Sequence, residues 1–194
     1  APTMFIPVGT EEATPRQKFP VVTVTLVALN SLVFLFELFL LLAGGRSAQN
    51  QFIAVFGMTP STIISGQNLY TLFTSLFVHG SLTHISFNML YLLAFGDNVE
   101  DRLGRWRYLL FYTLAGLFAS LVQIAVNPGS SIPNVGASGA IAGVLGGYLI
   151  IFPKSRVRVF FFLGPLSHTT RISALLYIGF WFVTQFFNGI GSLG

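Results

Sequence analysis

Residues 21–42 read Val-Val-Thr-Val-Thr-Leu-Val-Ala-Leu-Asn-Ser-Leu-Val-Phe-Leu-Phe-Glu-Leu-Phe-Leu-Leu-Leu. Glu37 is the single charge in these 22 positions. As a helix rising 1.5 Å per residue they reach about 33 Å, enough to cross the hydrocarbon core of a bilayer. The segment is too long for the core of a signal peptide, although Ala43-Gly44-Gly45 resembles a cleavage site. It is expected to be retained.

The whole chain agrees with that reading. Of 194 residues, 53% are hydrophobic and 8% charged, against about 25% charged in an ordinary globular domain. Mean hydropathy is +0.75 and there are 21 phenylalanines. A globule this small cannot bury so much apolar surface, so the solvent is a membrane. With no cysteine, disulfides, thiolate metal sites, iron–sulfur clusters and a cysteine nucleophile are excluded. Ten Lys and Arg give a net charge of +4 but make no nucleic-acid patch.

Four more apolar segments follow, at about Leu82–Phe95, Tyr108–Val126, Gly136–Phe152 and Ile172–Phe187. The expected fold is all-α, a polytopic helical membrane protein with five crossings. An N-terminus in the cytoplasm puts Arg16, Lys18, Arg102, Arg105, Arg107, Lys154, Arg156, Arg158 and Arg171 inside, leaving Arg46 outside. The opposite orientation reverses that balance and breaks the positive-inside rule. Residues 1–20 read as a mobile cytoplasmic tail and residues 21–194 as the membrane domain. Between the first two helices, residues 43–81 form a long external loop. Its apolar stretches Phe52–Met58 and Leu72–Val78 are expected in the membrane interface.

Polar residues in apolar segments are costly and mark candidate sites. Glu37, near the outer end of the first helix, reads as a structural residue able to snorkel outward. His79 precedes the second helix; His84 and Asn88, four apart, share one face of it. They could hold helices together or serve chemistry. Two histidines without a nearby carboxylate make a poor metal site. Ser138, within Gly136-Ala137-Ser138-Gly139, opens the fourth helix, where free N–H groups and the helix dipole favour negative charge. Gly139, Gly143 and Gly147 recur every four residues and form a groove for close approach of another helix. A hydroxyl with side-chain donors at similar depth outlines an acyl-transfer site.

The ordered set His79-x4-His84-x3-Asn88, Gly96-x3-Glu100-x-Arg102-x-Gly104 and Gly136-Ala137-Ser138-Gly139 resembles the rhomboid intramembrane serine proteases. The likeness runs from Phe19 to Gly194. It implies a rhomboid-like bundle of six helices, with Ser138 as nucleophile, His84 and Asn88 in the oxyanion hole, and His79, Gly136 and Gly139 in support. Glu100 and Arg102 match a structural motif that braces the long external loop. The implied substrates are transmembrane segments of other proteins, cut at the outer face of the inner (plasma) membrane, without cofactor or metal.

Two departures stand out. Tyr70-Thr71 replaces a Trp-Arg pair, which concerns loop structure. The family's base, a histidine within Ala-His-x-x-Gly on a sixth helix, has no counterpart in the 194 residues. His168 lies beyond the fourth helix, on the cytoplasmic side. Three explanations stand: a longer protein of which this is the N-terminal part, a five-helix relative that binds clients without cutting them, or His84 acting as base. The second leaves open a subunit role in a larger membrane assembly.

Overall fold

The computed structural model describes residues 4–11, 17–162 and 168–191. Eight helices dominate it: α1 Val21–Phe56, α2 Pro60–Ile64, α3 Thr71–Thr74, α4 Leu82–Tyr91, α5 Asp97–Leu103, α6 Arg105–Val126, α7 Ser138–Ile151 and α8 Ala174–Gly191. A 3₁₀ turn, Ser75–Phe77, precedes α4, and a π-helical turn, Leu92–Gly96, joins α4 to α5. Residues 82–103 are therefore one continuous helical run. It extends well past the expected end at Phe95, because the π turn carries Gly96 and Asp97 onward instead of stopping at them.

By length and composition α1 and α6 can cross a membrane. The apolar helices α7 and Ala174–Gln185 of α8 are shorter. The outer faces of α1 and α6 are apolar too: Leu32, Leu35 and Phe39 on α1 and Leu114, Phe118 and Leu121 on α6 are all exposed. Exposed apolar stripes on helices that long suit lipid as the neighbour.

Two expectations fail here. The fold is mostly helical but not all-α, and residues 4–11 are not a loose tail. Strands β1 Met4–Glu11, β2 Arg156–Phe162 and β3 His168–Ser173 form an antiparallel sheet in the order β1-β2-β3. On β2, Val157 and Val159 are buried in the core while Arg156 and Arg158 are exposed, the two-residue alternation of a half-buried strand. Glu11 pairs in register with Arg156, and its carboxylate accepts a hydrogen bond from Arg171 Nε at 3.0 Å. Asn98 Nδ2 donates to Thr10 Oγ1 at 3.0 Å, tying the sheet to α5.

The 43–81 region is more ordered than a loop. Helix α1 runs through it to Phe56, broken at Gly45 alone, whose φ of 69° only glycine adopts freely. Met58, Leu76 and Val78 are buried, so part of the apolar surface expected in the membrane interface packs on the protein instead. Tyr70, in the place of the family's tryptophan, donates from its hydroxyl to Val55 O at 2.9 Å.

Helices α6 and α7 meet along the glycine stripe. A Cβ on Gly139 would lie 2.5 Å from Ala119 Cβ, and one on Gly143 2.3 Å from Ala115 Cβ. Only a hydrogen fits at either position. On the other side of α7, Tyr148 packs edge-on to Phe95 at 5.0 Å, and Phe95 stacks on Tyr177 of α8. The glycine contacts and these aromatic contacts fix where the first turn of α7 stands.

Candidate active site

Ser138 is the first residue of α7, so its N–H belongs to the group left free at a helix start. The chain reaches it through Gly136, whose N–H donates to Ser75 O at 2.8 Å. Gly136 has φ +115°, and a Cβ there would lie 2.6 Å from both Cε1 and Nε2 of His84. Glycine is required twice, for the backbone conformation and for the histidine ring against it.

On α4, Ser81 caps the helix by accepting the His84 N–H at 3.2 Å. His84 and Asn88 then fall one turn apart on the face toward α7. With Ser138 they line a cavity of about 480 Å³ that Phe87 and Tyr91 also border, with Trp181, Thr184 and Gln185 of α8 on its wall. Ser138 also borders a smaller cavity of about 190 Å³ with Ser75, Ser120 and Gln123. The structure thus brings Ser138, His84 and Asn88 together. Asn88 is buried, and its Nδ2 has no hydrogen-bond partner. Asn30 Oδ1, His79 Nε2 and the Tyr108 and Tyr112 hydroxyls are unpartnered too, but none of these residues lines either cavity.

His79 is buried beside the site, its ring edge-on to His84 at 5.1 Å. Its Nδ1 lies 3.1 Å from Phe77 O. A carbonyl only accepts, so Nδ1 carries the proton there. Burial and the neighbouring His84 push its pKa down to about 4, so the ring is neutral near pH 7. Among the described residues no group of three His, Asp or Glu stands close enough to share a metal ion.

Two expectations are corrected. Glu37 does not snorkel: it is fully buried and accepts the N–H groups of His79 at 2.9 Å and Gly80 at 2.7 Å. Glu100 does not brace the 43–81 region. It accepts Val22 N–H at 2.9 Å, Thr23 N–H at 2.7 Å and the Thr23 hydroxyl at 2.9 Å, capping α1 at the far end of the bundle. Arg102 lies over the Phe152 ring at 5.2 Å, also at that end. The loop is held instead by Glu37, which the sequence marked only as a lone carboxylate in an apolar helix. His168 sits exposed on β3, stacked on Phe161 at 5.2 Å. Strand β2, which pairs with β3, follows the end of α7 opposite Ser138, so His168 takes no part in the site.

The family model of the Rhomboid domain matches residues 66–193, which contain Ser138, His84, Asn88 and the whole of both cavities except Met58. The chain belongs to the rhomboid family. It is 30% identical over 185 residues to the rhomboid protease GluP of Bacillus subtilis, covering 95% of this chain and 34% of GluP. The putative rhomboid protease YdcA of the same organism is 33% identical over 95 residues, 45% of this chain and 47% of YdcA. The mitochondrial presenilin-associated rhomboid-like protein of Bos taurus is 33% identical over 103 residues, 52% and 27% of the two chains. This rhomboid chain therefore spans about a third of GluP and under half of YdcA. Its relatives carry the names of proteases and of rhomboid-like proteins alike.

Proposed function

We propose that the chain is the membrane core of a serine endopeptidase that cuts transmembrane segments of other proteins. The observation that carries this is the grouping of Ser138, at a helix start, with His84 and the unpartnered Asn88 amide on one cavity. Buried donors are seldom left unpaired, and one aimed at a cavity beside a hydroxyl suits an oxyanion that forms only during reaction.

In this reading Ser138 Oγ attacks the scissile carbonyl carbon and loses its proton to a base. The carbonyl oxygen, now negative, is held by Asn88 Nδ2 and the Ser138 N–H. His84 joins them when its ring carries a second proton. Collapse of the intermediate expels the amine half of the substrate, which takes up the proton, and water then hydrolyses the ester on Ser138. Ser81, Thr83, Thr184 and Gln185 on the cavity wall offer that water polar partners. By the family resemblance the base is a histidine outside residues 1–194; His84 Nε2 is the candidate within them.

A fluorophosphonate should label Ser138 when the protein is expressed from its native gene, and not label Ser138→Ala. Labelling that survives the substitution sinks the nucleophile assignment. In the proposed orientation, with the N-terminus in the cytoplasm, Ser138 faces outward. An impermeant thiol reagent should then reach a cysteine at Ser131 in intact cells and miss one at Lys154; the reverse pattern inverts the topology.

A second reading is a rhomboid-like protein that binds membrane clients without cutting them, alone or within a larger assembly. It is favoured by one observation: of the chain's three histidines, only His84 borders the cavity. Stable capture of clients by wild type and Ser138→Ala alike, with no cleavage by either, would select it.

A further inference from the structure

A carboxylate inside an apolar helix is expensive unless strong partners hold it. Glu37 has two, the N–H groups of His79 and Gly80, and both its oxygens are used. The Gly80 N–H and the His79 carbonyl belong to one peptide unit, which is planar and trans, so the two point in opposite directions. The His79 carbonyl lies 2.9 Å from His84 Nδ1. The carbonyl can only accept, so His84 Nδ1 carries the proton and the neutral ring keeps its lone pair on Nε2. That nitrogen lies against the backbone of Gly136, two residues before Ser138.

We propose that Glu37 is a positioning residue for the site around Ser138. By holding one side of the 79–80 peptide, it fixes on the other side the orientation and tautomer of His84. A carboxylate accepting from a peptide N–H also polarises its carbonyl, which strengthens the bond to His84 Nδ1. The cavity is thereby presented with Nε2 and not Nδ1. Neutral His84 is an acceptor there, and it must take up a proton before it donates to an oxyanion. The effect on turnover rests on the peptidase reading; the tautomer does not.

Nitrogen NMR of ¹⁵N-histidine-labelled protein in micelles, at mildly alkaline pH, tests both. His84 is assigned by comparison with His84→Asn. Wild type should show neutral His84 protonated at Nδ1, the less common form of free histidine. In Glu37→Gln the amide can accept from only one of the two N–H groups and turns its own NH₂ toward the other. His84 should then shift toward the Nε2–H form, and the rate of fluorophosphonate labelling of Ser138 should fall about tenfold to a hundredfold, the scale of a misplaced catalytic group. Glu100→Gln weakens an equally buried carboxylate clamp at the far end, and should leave both readouts of the folded protein unchanged. If Glu37→Gln does not fold, Glu37→Asp, which keeps the charge but shortens the reach, replaces it and should show the same shift. An Nε2–H tautomer in wild type, or a His84 spectrum indifferent to Glu37, overturns the proposal. An Nδ1–H His84 that responds to Glu37 in a protein whose Ser138 never labels upholds the positioning role and removes the peptidase.

Discussion

Asn88 and Glu100 stand on the same helical run and are both buried, yet they are treated in opposite ways. Glu100 accepts three hydrogen bonds from the first turn of α1, within 2.9 Å each. Asn88 Nδ2, a donor, has no acceptor, and the residue lines a cavity shared with Ser138. A saturated polar group contributes to stability, because removing it strands its partners. An unsaturated one costs stability, and Asn88 differs from the unpartnered Asn30, Tyr108 and Tyr112 atoms in lining a cavity with Ser138. Glu100 thus anchors the first turn of α1, whereas the Asn88 amide is left free beside the cavity on which the proposed peptidase reading rests.

The difference can be broken first at Asn88. Asn88→Ala should lower turnover by about 10²–10³, the usual effect of losing an oxyanion donor, while leaving the melting temperature unchanged or raised. A cleavage assay paired with a thermal melt reads both, and a large drop in stability would show that Asn88 is structural after all. Glu100→Ala should do the converse. It strands two backbone donors and a hydroxyl, at about 1–3 kcal/mol for each buried group, so a loss of at least about 3 kcal/mol is expected. Denaturation in detergent measures it, and the folded fraction should keep its Ser138 labelling rate.

Smaller effects sharpen the picture within α7. Gly139→Ala puts a methyl 2.5 Å from Ala119 Cβ and should cost about 1–3 kcal/mol, as overpacking does. Because Gly139 follows Ser138, labelling should slow as well. Gly146→Ala meets nothing within 4 Å and should stabilise by about 0.5–1 kcal/mol, the helix preference for alanine. Equal melting shifts for the two would mean that the α6–α7 contact does not depend on the glycine stripe.

Much of this was legible in the sequence because the signals are local. The apolar run of α1, the four-residue spacing of His84 and Asn88, and the glycines of α7 each report their structure through neighbours three or four positions away. The sheet could not be read that way. Residues 4–11 contain Pro7 and Gly9 and look like a tail; their partners are on β2, and Glu11 meets Arg171 across 160 positions. Glu37 was visible as an anomaly, but its partners are backbone N–H groups, which have no residue signature. The first helix is expected to give way to a loop after Leu42, yet it runs on to Phe56 and only Gly45 leaves helical geometry. The family resemblance ties Glu100 to the long loop, whereas its partners are Val22 and Thr23 at the opposite end, because a motif says that residues act together and not on what.

The pairing of β1 with β2 has a consequence for biosynthesis. Glu11 leaves the ribosome 145 residues ahead of its partner Arg156. At about 5–20 residues per second, β1 waits roughly 7–30 s with an unpaired edge while the helices between them are made. Its bulge between Pro7 and Gly9, and a proline that cannot donate, blunt that edge in the meantime. Strand β1 is made well before its partner, so the sheet can close only after helices α1–α7, the last of which carries Ser138, have been synthesised.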